Sequence, residues 1–174
     1  MDDSIEDAGG SIRPGDGPVQ DTWPTLRCYG CGPANPDGIQ LKSYVGEDGE
    51  TLVATVEPDE RFTSGAPNVM YGGHAASLLD CHSIWTAITF AYRGEGRPLG
   101  IEPQIQYVTG RLCVDYRKPT PLDRPVRLTA WVEGEVGRRT TIRSEIAAEG
   151  VVTAKGELVA VRVDATGDSH HDRA

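Results

Sequence analysis

The sequence predicts an α+β domain in which an antiparallel sheet of five or six strands wraps around one long buried helix. Three observations carry the prediction. Apolar and polar residues alternate in two short runs before residue 58 and in several longer runs after residue 98, the period-two signature of half-buried strands. Between them, residues 73–92 contain no proline and no glycine after the first position, and their apolar side chains go nearly all the way round a helix. Such a helix is buried on most sides. The links between the later runs are hairpin-sized, which makes sequential strands antiparallel neighbours. A lone apolar helix beside such a sheet is hidden most simply if the sheet curls around it, leaving the other sheet face free for a partner.

Taken in order, residues 1–22 are rich in Gly, Pro and Asp with almost no apolar side chains. They bury too little surface to offset ordering entropy and read as a disordered acidic arm. Residues 39–45 and 51–57 read as a hairpin across Gly46-Glu47-Asp48-Gly49. Residues 58–71 are irregular and lead into the helix. Beyond it, Leu112, Val114 and Tyr116 alternate with Cys113, Asp115 and Arg117, and Val126, Leu128, Ala130 and Val132 alternate with Arg127, Thr129, Trp131 and Glu133. Strands at 140–148 and 151–163 follow, and 164–174 reads as a polar tail. The folded unit is thus expected at 23–163.

A chain of 174 residues suits one domain. Its 17 Lys+Arg against 26 Asp+Glu give a net charge of -9, which repels phosphate backbones and argues against nucleic-acid or anionic-membrane partners. Any anionic ligand must be met by a local basic cluster. No run approaches the roughly 18 apolar residues of a membrane span, and the first residues lack the basic and apolar regions of a signal peptide, so a cytoplasmic location is expected. The four cysteines are too few for a secreted-type disulfide framework. Cys28 and Cys31 have zinc-like spacing but no second pair, with Cys81 and Cys113 remote in sequence. They read as a packed turn, with no metal and no cofactor.

The chemistry concentrates in Tyr71-Gly72-Gly73-His74-Ala75-Ala76-Ser77-Leu78-Leu79-Asp80. Glycines let a backbone N–H approach a ligand oxygen, and a helix start presents unpaired donors with a partial positive charge. Gly72 and Gly73 are therefore oxyanion-donor candidates. An aspartate inside an apolar helix is costly to desolvate unless it has a partner or a task. Helical geometry gives Asp80 the companions Ala76, Ser77, Ser83 and Ile84 and turns His82 away, so His82 reads as a satisfied core or interface histidine and no Asp80–His82 dyad is expected.

The glycine pair, Asp80 eight residues after Gly72, Tyr116-Arg117-Lys118-Pro119, and Cys28-Tyr29-Gly30-Cys31-Gly32 followed by Asn35-Pro36-Asp37-Gly38-Ile39 together resemble the hotdog-fold acyl-CoA thioesterases of the phenylacetate-pathway type, over roughly 28–163. The resemblance implies a hotdog fold and thioester hydrolysis. The Gly72 N–H, with help from Gly73, takes the carbonyl oxygen, and Asp80 acts as base or nucleophile. Thr109, seven residues before Tyr116, positions water from the other subunit. Tyr71, His74, Ser83 and Asn68 complete the expected substrate-binding set, and Arg117 and Lys118, ahead of Arg111 and Arg97, meet the CoA phosphates. The resemblance further implies homodimers joined sheet edge to sheet edge, and pairs of them as tetramers. Two departures stand out: Tyr71 occupies the usual histidine position, and Gly65 the position where some members carry asparagine, with Asn68 only four residues before Gly72. The alternatives are a non-hydrolytic acyl-CoA binding module and a hotdog hydratase or dehydratase.

Overall fold

The computed structural model describes residues 12–163. Helix α1, Gly72–Gly94, packs against an antiparallel sheet of order β1-β2-β4-β5-β6-β3. The strands are β1 Tyr44–Val45, β2 Thr51–Val56, β3 Gln106–Tyr116, β4 Val126–Glu133, β5 Arg139–Ala148 and β6 Val151–Val163. The predicted class and helix are present. Leu78, Leu79, Ala87, Leu128, Ile142, Ile146 and Leu158 are fully buried between helix and sheet, and burial alternates along β4 and β5 as the sequence pattern requires.

Turn chemistry sets the connections. Glu149 and Gly150 both have positive φ, 49° and 78°, the signature of a two-residue type I′ hairpin between β5 and β6. The first hairpin closes with Gly46 N–H on the Thr51 carbonyl at 2.8 Å. β1 is shorter than the predicted strand at 39–45 because its earlier residues bond elsewhere. Ile39 and Leu41 N–H reach the carbonyls of Tyr29 and Gly30 at 2.8 and 3.0 Å, and Val19 N–H reaches Ser43 O at 2.8 Å.

Val19 and Gln20 are fully buried, in a single 3-10 turn at Val19–Thr22. Within the segment expected to be a disordered arm, residues 13–17 are exposed, whereas these two residues are packed. A buried side-chain network explains why: Gln20 Oε1 accepts from Ser43 N–H at 2.8 Å, and Gln20 Nε2 donates to Ser43 Oγ at 3.1 Å. The rest of the predicted arm and the predicted tail lie outside the described residues.

The outward sheet face, predicted to be free for a partner, carries a row of ion pairs. Arg143 bonds Glu133 at 2.9 Å and Glu157 at 2.6 Å, and Arg111 meets Glu157 at 3.1 Å. Such exposed pairs contribute at most about 1 kcal/mol each and mark a solvated surface. At the sheet edge, β3 and β6 lose register between Thr109 and Arg111. Gly110 is the extra residue of this bulge, and a Cβ there would meet Val161 Cγ2 at 2.7 Å. The bulge switches strand parity: Tyr107 and Thr109 face the helix before it, Leu112 and Val114 after it.

Candidate active site

Asp80 lies in the third turn of α1 and is partly buried. The bulge at Gly110 aims Thr109 at it, and Thr109 Oγ1 donates to Asp80 Oδ1 at 2.5 Å. Burial raises the Asp80 pKa above its ordinary value, the Thr109 bond lowers it, and the nearby Cys28 sulfur raises it again. A carboxylate held in this way stays basic while its orientation is fixed. Thr109 reaches Asp80 of its own chain, whereas the sequence resemblance assigns it to the partner subunit. β3 runs beside the helix and brings the two together without a second copy.

Asp80 and Thr109 form part of the wall of a largely apolar cavity of about 340 Å³, with Trp23, Leu26, Ile84, Trp85, Ile88 and Val108 among its other lining residues. That volume and lining suit an apolar acyl group. Trp23 and Leu26 were not expected at the site, although Trp23 opens the folded unit expected from the sequence. Cys28, Cys31 and Cys81 also line this cavity. Cys81, remote from the pair in sequence, is adjacent in space: its Sγ is 3.8 Å from Cys28 Sγ.

The helix start forms a second feature. Tyr71 is the N-cap residue and makes no side-chain capping bond, so no cap side chain occupies the first amides of the helix, Gly72 and Gly73 among them. Two tyrosine rings lie over these glycines. A Cβ at Gly72 would meet the Tyr116 ring at 3.2 Å, and one at Gly73 would meet the Tyr71 ring at 2.4 Å. Tyr116 Oη donates to the Gly72 carbonyl at 2.6 Å. Gly72, Tyr116, Arg117 and Lys118 share a cavity of about 390 Å³, which places the predicted basic pair beside the predicted donors. Arg117 is exposed and bonds Asp115 at 3.0 Å.

Other predicted site residues have structural roles. Ser83 is fully buried and donates to Ser144 Oγ at 3.1 Å, tying helix to sheet. His74 is buried with its ring stacked on Phe62 at 3.7 Å, and burial, then the Arg61 charge, lowers its pKa. Asn68, at φ 54°, accepts from the N–H groups of Leu122 and Asp123 at 2.9 and 3.0 Å, pinning two loops together. None of the three lines either cavity above. Arg97 is engaged by Glu95 and Arg111 by Glu157.

His82 is fully buried, as expected for a core histidine. Its Nε2 lies 3.1 Å from the Leu52 carbonyl and its Nδ1 2.8 Å from Ser43 Oγ. A carbonyl only accepts, so the neutral ring carries its proton on Nε2 and Nδ1 accepts from the Ser43 hydroxyl. Burial depresses its pKa to about 4, against a small opposing effect of the Leu52 bond.

No protein-family model and no curated protein matches the sequence. Among solved structures, a thioesterase superfamily protein from Shewanella loihica is 30% identical, with TM-score 0.58, the match covering 75% of this chain and 97% of that one. A second thioesterase superfamily protein is 28% identical, with TM-score 0.58, over 75% of this chain and 60% of that one. A Streptococcus pneumoniae hypothetical thioesterase, solved with coenzyme A, shares the fold at 16% identity and TM-score 0.54, over 66% of this chain and 79% of that one. With its helix-wrapping sheet and this identity along nearly the whole of the Shewanella protein, the chain belongs to the hotdog-fold thioesterase superfamily.

Proposed function

We propose that this protein hydrolyses an acyl-CoA, in the manner of the phenylacetate-pathway type, and that each active site is built from two copies of the chain. The observation that carries the reading is Asp80, held by Thr109 at 2.5 Å on the wall of an apolar cavity of about 340 Å³. Asp80 takes a proton from water as its oxygen attacks the thioester carbonyl. The C–S bond then breaks, and that proton passes to the leaving thiolate. The developing oxyanion is met by backbone donors at a helix start, where partial positive charge is already in place.

The second copy follows from distance. Gly72 and Asp80 are eight residues apart on one helix, about 12 Å along its axis. A carbonyl oxygen and the water attacking its carbon need donor and base each within about 3 Å of their targets, so one chain does not serve both ends of one thioester. Donors from one copy and Asp80–Thr109 from the other do. The exposed outer edge of β3, last in the sheet order, is where two sheets would join. Arg117 and Lys118 beside the Gly72 donors would receive the CoA phosphates by charge-assisted bonds.

A screen of short, long and aromatic acyl-CoAs for thiol release tests the reading. Turnover of at least one, reduced about 10²–10⁴-fold by Asp80→Asn with the fold intact, is expected; no turnover of any would overturn it. A second reading, acyl-CoA binding without hydrolysis, is favoured by one observation, the Tyr71 ring lying over Gly73. Tight binding with intact ester recovered would select it. The hydratase reading loses its second acid/base group, because His82 is buried and bonded to Leu52 and Ser43.

A further inference from the structure

We propose that Cys28, Cys31 and Cys81 form a three-thiolate binding site for a soft divalent metal ion of the zinc class, fastening the N-terminal segment to α1 one residue beyond Asp80. The three sulfurs lie within 4.8 Å of one another. The 3.8 Å between Cys28 and Cys81 Sγ equals the edge of a tetrahedron with Zn–S bonds of about 2.3 Å, roughly 3.8 Å. All four cysteines of the chain are free, so none of the three is committed to a disulfide.

The backbone around the sulfurs is shaped for them. The turn closes tightly behind the first sulfur, and the Ile39 and Leu41 N–H groups tie Tyr29 and Gly30 in place at 2.8 and 3.0 Å. Trp85 Nε1–H donates to Cys31 Sγ at 3.3 Å, the kind of outer hydrogen bond that orients a metal ligand. Gly30 is required by the convergence itself, since a Cβ there would meet Cys81 Sγ at 2.3 Å. Gly32 is required by the turn: a Cβ would meet the Cys28 backbone nitrogen at 2.4 Å, and its N–H closes on the Cys28 carbonyl at 2.8 Å. The Cys-x-Gly-Cys-Gly run thus folds into a knuckle that points two sulfurs at a third on the helix.

Three neighbouring thiols are not ionised together without a counter-charge. A divalent ion resolves this: each S–H gives its proton to solvent as an S–metal bond forms, with up to three protons released and a net charge of minus one left on the site. The fourth tetrahedral corner remains for water or another small donor.

The experiment uses the full chain purified under reducing, chelator-free conditions, then stripped and titrated with Co²⁺. About one ion per chain and a thiolate-to-cobalt charge-transfer absorption are expected. The band should persist in Cys113→Ser, whose residue is exposed on β3, and in Asp80→Asn, which separates this proposal from the hydrolytic one. It should be lost in Cys81→Ser; if that variant fails to fold, Cys28→Ser gives the same comparison. Wild-type protein that binds less than about a tenth of an ion per chain and shows no charge-transfer band, or whose mass maps show a disulfide among the three cysteines, would overturn the site. So would a folded Cys81→Ser or Cys28→Ser protein with an undiminished band.

Discussion

Asp80 is subject to opposing influences: burial favours its neutral form, and the Thr109 hydroxyl favours the carboxylate. A base works only when ionised, so kcat/KM should rise with pH through a raised pKa. Thr109→Val removes the bond that favours ionisation, and the acid limb of the profile should move to higher pH while the plateau falls about tenfold or more. An unmoved limb would show that the contact does not tune Asp80. His82 gives a stability prediction of defined sign. Its folded pKa of about 4 lies below the ordinary 6.5, so below pH 6.5 the unfolded chain binds a proton that the folded chain refuses. Its contribution, on the order of 3 kcal/mol, is fully present above pH 6.5 and is lost as pH falls towards 4. Urea titrations across that range should show the loss, and His82→Gln should flatten it. The two residues differ in legibility. Helical spacing alone turned His82 away from Asp80, but its partners Ser43 and Leu52 are 39 and 30 residues away, beyond what local periodicity encodes.

Among the elements, β3 is the one whose details no alternation pattern reveals. Its period-two reading is correct from Leu112 onward, yet Thr109 shares the helix-facing side only because Gly110 inserts a bulge. Gly110→Val should cost about 1–3 kcal/mol through the clash at Val161 and lower activity by displacing Thr109. Deleting Gly110 should be milder, because Arg111 then follows Thr109 directly and Tyr107, Thr109, Leu112 and Val114 keep a regular alternation on the helix side. Equilibrium unfolding with parallel kinetics checks both; a deletion variant less stable than Gly110→Val would contradict the parity argument. The helix and the later hairpins were legible because their period and turn residues are local. The packing of Val19 and Gln20 was not, since a buried Gln–Ser pair supplies what the polar composition of that segment lacks.

At the scale of the whole molecule, the spacing between Gly72 and Asp80 makes a mixing experiment decisive. Gly72→Pro removes one N–H at a first helical position, where proline is otherwise tolerated, and Asp80→Asn removes the base. Each variant alone should be severely impaired. Refolded together, half of the random pairs carry one intact site, restoring about a quarter of the wild-type sites; no recovery would place donor and base in one chain. The Cys81 contact belongs to this scale as well, because a residue 53 positions from Cys28 becomes its neighbour only when the N-terminal segment crosses the helix. That crossing also decides what the protein can change cheaply. The proposed catalytic pair stands on a helix and a sheet strand, while Trp23, Leu26 and Cys28 of the cavity wall come from a segment with no regular secondary structure beyond one 3-10 turn. On the proposed reading, this part of the acyl cavity wall is carried apart from the catalytic pair, so changes at Trp23 and Leu26 should retune acyl preference while Asp80 and Thr109 keep their places on helix and strand.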